Sequence, residues 1–441
     1  MTYVDWGVNS MLNSTHGANP AELLASSARS TGLDKAYMSL ALKLARNGAG
    51  LTSPNPMVGA LIVRDGQIVG WGYHSKAGGP HAEVFALKTA GELAKGATMY
   101  VTLEPCCHHG QTPPCTDAIL EAGIARVVSP MEDPNPQVSG EGFRILREAG
   151  VEVTVGISKE EARRLNEAFV KYITTRLPFV TVKAAMSIDG KIATWSGNSR
   201  WITGEKARRY VHTLRAHHDA IMVGIGTIIA DNPRLTVRLR PKHGQPNRLA
   251  PHGVKPGLAL SALRGSNLPG VSSIAADTAT QALSLRNPVR VIVDTHARIP
   301  LDANVLADDP GNTIVATTSL APLEKVEELR NLGATVIVTE PREERVDIRE
   351  VLAELGKREI TSVMLEGGGA LIASAFEAGM VDKVLVFIAP RVIGGKDAPT
   401  WVEGKGAFTI DECTELDISR VKRFRGDILL EAYVKVRGNT A

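Results

Sequence analysis

The chain has 441 residues, of which 44% are hydrophobic and 22% are charged, and 50 basic residues stand against 47 acidic ones. The length predicts two or three domains, and the ordinary composition excludes a disordered chain, a fibre and a disulfide-dense mini-protein. A net charge of +3 does not indicate a nucleic-acid or anionic-membrane partner. No apolar run approaches the roughly 20 residues that a transmembrane helix needs. The N-terminus has neither a basic start nor an apolar core, so we expect no signal peptide and a cytoplasmic protein.

The first half of the chain alternates helices with strands, which predicts an α/β domain with a mostly parallel, helix-covered sheet. We expect a polar extension over 1–33, with a capping helix at 20–29 as the alternative, and then a first domain over 34–177. Asp65-Gly66 is a hairpin signal between two strand-like runs. The other predicted elements are helices at 34–47, 81–94 and 115–122, strands at 98–103 and 126–129, and one amphipathic helix at 159–175.

A second α/β domain is expected over 178–438, beginning after Pro178. Its predicted strands are at 179–185, 220–223, 289–293, 313–316, 335–338, 362–365, 383–388 and 428–436. The stretch 240–287 is rich in Gly, Pro, Ser and Asn. A structureless loop of this length is unusual inside a compact domain, so we interpret it as a surface insertion. Its basic first part is a solvated face or, alternatively, a site for phosphate or a partner.

Three of the four cysteines, Cys106, Cys107 and Cys115, lie within ten residues of one another. Four cysteines in a chain of this length do not make a disulfide framework, and clustered cysteines without an export signal indicate metal ligands or a reactive thiol. Cys106 and Cys115 each follow a proline. We assign no role to Cys107 or to Cys413.

His81 and Glu83 open a predicted helix upstream of these cysteines. One imidazole and the two prolyl-flanked thiolates would hold Zn²⁺ and leave a fourth position for water, whose proton Glu83 would move. H-x-E and Pro-Cys belong to the signature of zinc deaminases, although the second cysteine lies further away here. Two alternatives stay open. The histidine could cap a helix while the cysteines pack in the core, or the zinc could be structural with His108 or His109 as a fourth ligand.

Three segments resemble the bifunctional riboflavin biosynthesis family RibD: SPNPMVG at 53–59, HAE at 81–83 and LEPCCHHGQTPPC at 103–115. That family fuses a pyrimidine deaminase to a pyrimidine reductase, and the resemblance covers 34–239 and 288–438. It implies a zinc site and proton shuttle formed by His81, Cys106, Cys115 and Glu83. It also implies deaminase substrate contacts from Asn55, His74 and His108.

From the residues alone, Asn55 could instead be a turn residue between prolines, and His74 a solvated loop histidine. Gln111 stands where the family usually has Lys or Arg. The loss of that cation would weaken an anionic or ring-edge contact.

The second half contains no G-x-G-x-x-G between a strand and a helix, so a Rossmann domain is not supported. Glycine turns at 223–227 and 365–369 each lead from a predicted strand into a helix. Backbone N–H groups and a helix dipole at such a turn can hold phosphate. A tight strand–helix connection without a ligand is the alternative.

The second half also resembles the RibD reductase domain, which is similar in fold to dihydrofolate reductase. The resemblance implies NADPH contacts from Ala185, Trp201, Thr227, Asp231, Thr295, Gly368 and Gly369. It implies ribose-phosphate contacts from Ser199, Arg215, Leu235 and Arg238, with Glu366 at the sugar. Alternatively, Trp201 is a core residue, and Asp189 and Lys191 shape a turn and a surface. Glu366, Lys183 and water remain candidates for the proton donor.

The sequence therefore predicts a cytidine-deaminase-like α/β/α domain followed by a dihydrofolate-reductase-like α/β domain. The expected activity is zinc-dependent deamination of diaminohydroxyphosphoribosylaminopyrimidine, followed by NADPH-dependent reduction of the ribosyl group to ribityl. We expect a small pyrimidine ribose phosphate as substrate, no nucleic-acid or membrane partner and, by resemblance, a dimer or tetramer. A nucleic-acid-editing deaminase is disfavoured by the balanced charge and by 5% aromatic residues. A scaffold with one or both sites inactive is the rival of another class.

Overall fold

A computed structural model describes residues 31–109, 113–136, 138–239 and 286–435, together with the backbone of a helix that begins at Pro20. Residues 1–19, Gln111 and all but the last two residues of the expected insertion at 240–287 lie outside this described part. No helix among the described residues is long and apolar enough to cross a membrane.

A five-stranded sheet forms the centre of the N-terminal part, in the order β2-β1-β3-β4-β5. The strands are β1 (Gly59–Arg64), β2 (Gln67–Tyr73), β3 (Thr98–Val101), β4 (Arg126–Ser129) and β5 (Glu152–Val155). β1 runs antiparallel to both of its neighbours, while β3, β4 and β5 are parallel. The expectation of a mostly parallel sheet is therefore right for only one half of it. The hairpin signal is confirmed, because Asp65 and Gly66 both have positive φ, as a tight two-residue turn requires.

Helices cover both faces of this sheet. They are α1 (Pro20–Ala45), α2 (Ala82–Ala90), α3 (Cys115–Glu121), α4 (Glu141–Glu148), α5 (Lys159–Leu165) and α6 (Glu167–Thr175). In β1 the side chains alternate: Leu61 packs in the core with α1 and α5, and Ile62 in the core with α2, α3 and α4. The result is the α/β/α sandwich that was expected.

Two predicted helices of this part have wrong bounds. α1 begins at Pro20 rather than near Asp34, so it includes the alternative helix at 20–29. The single helix predicted at 159–175 is broken at Asn166. The amide of Asn166 accepts a hydrogen bond from Met57 N at 2.8 Å and donates one to Met57 O at 3.0 Å. An Asn side chain that bonds to backbone competes with helix continuation in this way.

A nine-stranded sheet forms the centre of the C-terminal part, in the order β10-β9-β8-β7-β13-β6-β14-β16-β15. Its strands are β6 (Phe179–Ser187), β7 (Ala220–Gly224), β8 (Val289–Val293), β9 (Thr313–Thr318), β10 (Thr335–Thr339), β13 (Ser362–Glu366), β14 (Lys383–Ala389), β15 (Leu416–Phe424) and β16 (Asp427–Val434). A separate short ribbon joins β11 (Pro341–Arg342) and β12 (Arg345–Val346). In this spatial order, neighbouring strands from β10 through β14 are parallel, whereas β16 runs antiparallel to both of its neighbours, β14 and β15. β15 was not predicted, because most of its residues are exposed and it pairs on one side only.

The helices described in this part are α7 (Glu205–His217), α8 (Ile225–Asp231), α9 (Asn304–Ala307), α10 (Leu323–Asn331), α11 (Ile348–Lys357) and α12 (Gly369–Glu377). β8, β7, β13 and β6 are consecutive and parallel, so their carboxyl ends lie along one edge of the sheet. In open parallel sheets, ligands bind at this edge. The two parts also contact each other directly: Lys171 Nζ lies 2.6 Å from Asp382 Oδ2, and Tyr433 OH donates to Glu167 Oε2 at 2.6 Å.

Candidate active sites

The three expected zinc ligands converge at the N-terminal ends of α2 and α3. His81 precedes the first residue of α2, and Cys115 is the first residue of α3. His81 Nδ1 lies 3.4 Å from Cys106 Sγ and 3.3 Å from Cys115 Sγ. The Cys115 backbone N–H points at Cys106 Sγ over 3.4 Å. The ligand atoms all lie within 4.8 Å of one another, so the structure brings together the residues that the spacing predicted.

The donor atoms of this cluster suit a metal, and the two thiols share one proton without it. The hydrogen bond from Cys115, together with His81, lowers the pKa of the Cys106 thiol to about 4. The pKa of Cys115 is raised, because it shares its proton with Cys106 and is buried. One imidazole nitrogen with two sulfurs is a donor set typical of zinc. His108 and His109 are described but exposed, and neither joins the cluster, which argues against a structural site with four protein ligands.

Glu83 stands beside the ligands on the second residue of α2. Its side chain is 3% exposed, and burial raises the pKa of its carboxyl group. Its Oε2 atom is buried, and no hydrogen-bond partner for it is found among the described residues. A buried polar atom without a partner requires an explanation. A water or substrate group held beside the three ligands would provide one.

Asn55 and His74 meet next to the cluster. His74 is 2% exposed, so its interpretation as a solvated loop histidine is wrong. Its Nδ1 lies 3.0 Å from Pro80 O, which can only accept, so Nδ1 donates and Nε2 is the acceptor. Asn55 Nδ2 donates to that Nε2 over 3.3 Å. The His74 ring meets the His81 ring edge-on at 5.5 Å, which places both expected substrate contacts beside an expected metal ligand.

Glu104 has a role in this site that the sequence analysis missed. Its carboxylate is 4% exposed, and Oε2 accepts hydrogen bonds from Asp133 N and Gly140 N, both at 2.9 Å. Oε1 accepts one from Phe143 N at 3.3 Å. Glu104 thus ties the loop before α4 to the segment that carries Cys106. Glu104 belongs to the motif at 103–115, but nothing in the sequence shows that its side chain binds the loop over 133–143.

A buried ion pair lies at the carboxyl end of β13 in the second sheet. Arg215 Nε and Nη2 donate to the two Glu366 carboxylate oxygens at 2.6 and 2.9 Å. Lys183 Nζ lies 3.4 Å from Glu366 Oε2. Burial alone would raise the pKa of Glu366, but the Arg215 and Lys183 cations lower it to about 2. Two residues expected at the ribose and its phosphate are therefore paired with each other.

Arg215 Nη1 also donates to Thr236 O at 3.3 Å, so the segment that carries Leu235 and Arg238 lies beside this pair. The Leu235 side chain is buried in the core and its φ is +52°, so only its backbone could face a ligand. The exposed Arg238 donates its backbone N–H to His212 Nδ1 at 3.3 Å. Burial and two neighbouring arginines lower the pKa of His212 to about 4, which keeps the ring neutral as an acceptor. Ser199 Oγ lies 3.5 Å from Asp231 Oδ1, so a substrate position and a cofactor position are adjacent.

Both glycine turns lie side by side at the same edge of the sheet. A Cβ built on Gly367 or Gly368 would lie 3.4 or 3.8 Å from Thr227 Oγ1 at the start of α8. Both glycines have positive φ, which other residues rarely adopt. Gly369 begins α12 so tightly that a Cβ would lie 2.7 Å from Thr400 O.

The remaining expected cofactor positions lie on the neighbouring strands. Ala185 is near the carboxyl end of β6, and Thr295 follows β8. Thr295 O accepts hydrogen bonds from the hydroxyls of Thr317 and Thr318 at 3.1 and 2.9 Å. The expected cofactor positions thus come from the carboxyl ends of four consecutive strands, β8, β7, β13 and β6. Together they form one surface along which an extended ligand could lie.

Trp201 is 61% exposed, so its interpretation as a core residue is wrong. The Arg208 guanidinium lies over its ring at 4.4 Å. Asp189 accepts hydrogen bonds from the backbone of Ile393 and Gly394 at 3.0 and 2.7 Å, and Lys191 Nζ donates to the Ala398 carbonyl at 2.8 Å. Asp189 and Lys191 therefore shape the turn after β6, which is the alternative that the sequence left open.

Comparison with known proteins separates the chain into the same two parts. The family "Cytidine and deoxycytidylate deaminase zinc-binding region" matches residues 31–131, and the family "RibD C-terminal domain" matches 178–430. The riboflavin biosynthesis protein RibD of Actinobacillus pleuropneumoniae is 42% identical over 412 residues, covering 93% of this chain and 98% of that protein. RibD of Escherichia coli is 42% identical over 397 residues, covering 90% and 98%.

Two solved structures extend this likeness to the whole fold. One form of Acinetobacter baumannii RibD has a TM-score of 0.74 and 35% identity, and it covers 92% of this chain and 100% of its own. A Thermotoga maritima diaminohydroxyphosphoribosylaminopyrimidine deaminase/5-amino-6-(5-phosphoribosylamino)uracil reductase has a TM-score of 0.73 and 32% identity, with the same coverage.

Together, the zinc-binding deaminase region and the reductase domain define a two-domain deaminase/reductase, and the expected fold class is confirmed. The chain belongs to the RibD family of bifunctional riboflavin biosynthesis enzymes.

Proposed function

We propose that the chain catalyses two consecutive steps of riboflavin synthesis. The first is hydrolytic deamination of diaminohydroxyphosphoribosylaminopyrimidine, and the second is NADPH-dependent reduction of the ribosyl group of the aminouracil product to ribityl. The name of the Thermotoga maritima neighbour, which is similar over its full length, supports this pair of reactions. The observation that carries the first step is the unpartnered Glu83 carboxylate oxygen beside three zinc-type ligands.

In the deaminase site, His81, Cys106 and Cys115 would hold Zn²⁺, which supplies Lewis-acid activation of water near neutral pH. Glu83 Oε2 would take one proton from the attacking water and deliver it to the ring nitrogen, and it would then carry the second water proton to the amino group, which departs as ammonia. Burial raises the pKa of the Glu83 carboxyl, which suits a group that must both accept and release a proton. Water and the amino group are thereby exchanged for a carbonyl and ammonia.

Asn55 and His74 would hold the pyrimidine in this site. The neutral His74 fixes the direction of the Asn55 amide, because its Nε2 accepts from Asn55 Nδ2. The remaining Asn55 amide groups are then available to a ring edge. The exposed His108 would contact the substrate from the loop that follows Cys106.

In the reductase site, NADPH would supply a hydride to the open-chain ribosyl carbon. Its contacts would come from Ala185, Trp201, Thr227, Asp231, Thr295, Gly368 and Gly369. Ser199, Arg215, Arg238 and the Leu235 backbone would orient the ribose phosphate, with Glu366 at the sugar. Arginine suits a phosphate because its planar fork matches the oxygens, and Arg215 in this structure donates Nε and Nη2 to Glu366. Because its cationic partners lower the pKa of Glu366 to about 2, this carboxylate is ionised, and Lys183 and water remain as proton donors.

We also infer a homo-oligomer, a dimer or tetramer, in the cytoplasm. β15 is an edge strand whose Leu416, Ile418 and Val421 side chains are exposed, and a free apolar edge favours pairing with another chain. The cysteines are free thiols, as is usual in a reducing compartment.

Glu83→Gln tests the proposal. We expect ammonia release from the deaminase substrate to fall at least about 10²-fold, because a neutral amide cannot accept the proton. Zinc content and NADPH oxidation with supplied aminouracil product should match the wild type. Glu92→Gln, at an exposed position just after α2, is the control and should retain both activities.

Near wild-type deamination by Glu83→Gln would contradict the role of Glu83. If the wild-type protein binds zinc but releases no ammonia, the alternative of a scaffold protein with inactive sites is favoured. If it releases ammonia but consumes no NADPH, only the first domain is active.

A further inference from the structure

The segment that carries Asn55 is enclosed between the two domains. On one side it packs against the deaminase, because a Cβ on Gly48 would lie 2.6 Å from His74 O. On the other side it packs against the last turn of α7, because a Cβ on Gly50 would lie 2.1 Å from Ala216 O. Neither position has room for a side chain. The segment therefore follows the surfaces of both domains.

Asp219 of the reductase domain bonds to the same segment. Its Oδ2 accepts a hydrogen bond from Ser53 Oγ at 2.8 Å. That oxygen also lies 2.8–3.1 Å from the backbone N and side-chain hydroxyl donors of Thr361 and Ser362 at the start of β13. Hydrogen bonds to an ionised acceptor are stronger than neutral ones. Asp219 thus joins Ser53 to the first residues of a central strand.

The segment is also held at its other end. Asn166 bonds to both the N–H and the carbonyl of Met57. Asn55 lies between these two attachments, two residues from each. Asn55 N donates to Thr52 O at 2.7 Å, which closes a tight turn. If the hydrogen bond at Ser53 is lost, the turn remains held by the deaminase at Met57, and the segment still packs on the reductase at Gly50 but without a polar attachment at the turn itself.

We propose that Asp219 is a positioning residue for the deaminase site, supplied by the reductase domain. By holding Ser53 it fixes the turn that presents the Asn55 amide to His74 and to the pyrimidine. The inference rests on the proposed substrate role of Asn55. It predicts that docking of the reductase domain contributes to substrate affinity in the deaminase, although no Asp219 atom reaches the zinc ligands.

Ser53→Ala in the full-length enzyme is the direct test. It removes the hydroxyl that donates to Asp219 and that also lies 3.1 Å from Thr361 Oγ1, and it leaves Asp219 with its own partners at Thr361 and Ser362. We expect the KM of deamination to rise roughly tenfold, equivalent to about 1.4 kcal/mol. The value of kcat should stay within about twofold, since Asn55 binds the substrate and does not react. Zinc content and the kinetics of NADPH oxidation with supplied product should not change.

Two further variants separate positioning from general stability. Ser53→Thr keeps the hydroxyl and should restore a KM close to that of the wild type. Ser362→Ala removes a hydroxyl donor to the same Asp219 oxygen at 3.0 Å, but from within the reductase domain, and it should leave the deaminase KM unchanged.

The outcomes distinguish this inference from the function on which it rests. If Asn55→Ala raises KM while Ser53→Ala does not, the positioning role is wrong and the substrate role of Asn55 survives. If Asn55→Ala also has the wild-type KM, both are wrong. If Ser362→Ala raises KM as much as Ser53→Ala, the effect reflects the stability of the β7–β13 region rather than the interdomain bond, and the proposal is overturned.

Discussion

Replacing Arg215 by Ala should strongly destabilise the reductase domain. The Arg215 side chain is 12% exposed, and its guanidinium binds both oxygens of a Glu366 carboxylate that is 6% exposed. The substitution leaves that carboxylate buried with only Lys183, whose Nζ is 3.4 Å away. Breaking a buried pair by removing one partner typically costs about 3–5 kcal/mol.

The pKa of Glu366 gives an independent magnitude. A carboxyl pKa that falls from 4.5 to about 2 on folding corresponds to about 3 kcal/mol of stability at neutral pH. Because the folded-state value is the lower one, this stability is fully present above the unfolded pKa of 4.5 and is lost as the pH falls toward about 2. Without Arg215, burial raises the pKa of Glu366, so ionised Glu366 stabilises the variant less than the wild type. The variant therefore loses less stability than the wild type when the pH falls.

Urea unfolding at several pH values is the measurement. We expect Arg215→Ala to lower the free energy of unfolding by about 3 kcal/mol near neutral pH, and the difference from the wild type to narrow below about pH 4.5. Arg208→Ala, on the same helix but stacked on the exposed Trp201, should cost about 1 kcal/mol or less. A loss below about 1 kcal/mol for Arg215→Ala, or a difference that does not depend on pH, would refute the reasoning.

Two further predictions concern the zinc site. Removing the metal with a chelator should abolish ammonia release, while NADPH oxidation with supplied aminouracil product continues. Added Zn²⁺ should restore deamination. Loss of both activities on chelation would contradict separate sites for the two reactions. Gly142→Ala places a Cβ 2.2 Å from the Pro105 carbonyl, so it should displace the loop before Cys106, cost about 1–3 kcal/mol and weaken zinc retention. Gly32→Ala has no atom within 4 Å and should be neutral or slightly stabilising; equal zinc loss in both variants would argue against the contact.

The metal cluster was predictable because its pieces are local in sequence. His81 and Glu83 lie at the start of one helix, and Cys115 begins another, so the residue types and their spacing in the sequence were enough to predict a metal site. The break at Asn166 was not predictable, because its partner Met57 is 109 residues away. The pairing of Arg215 with Glu366 spans 151 residues, and each had been assigned to a substrate separately. Long-range polar pairing leaves no periodic pattern in a sequence.

The position of β13 has a consequence for synthesis of the chain. β13 lies between β7 and β6, although about 140 residues separate the end of β7 from its start. Until residue 366 has left the ribosome, β7 and β6 lack the strand that pairs with both of them. Their backbone N–H and C=O groups are then open to wrong partners. Non-local pairing of this kind folds slowly. The deaminase domain precedes β6 in the chain, so we expect it to fold before the reductase sheet can be completed, and the stage before β13 emerges is the one most prone to aggregation.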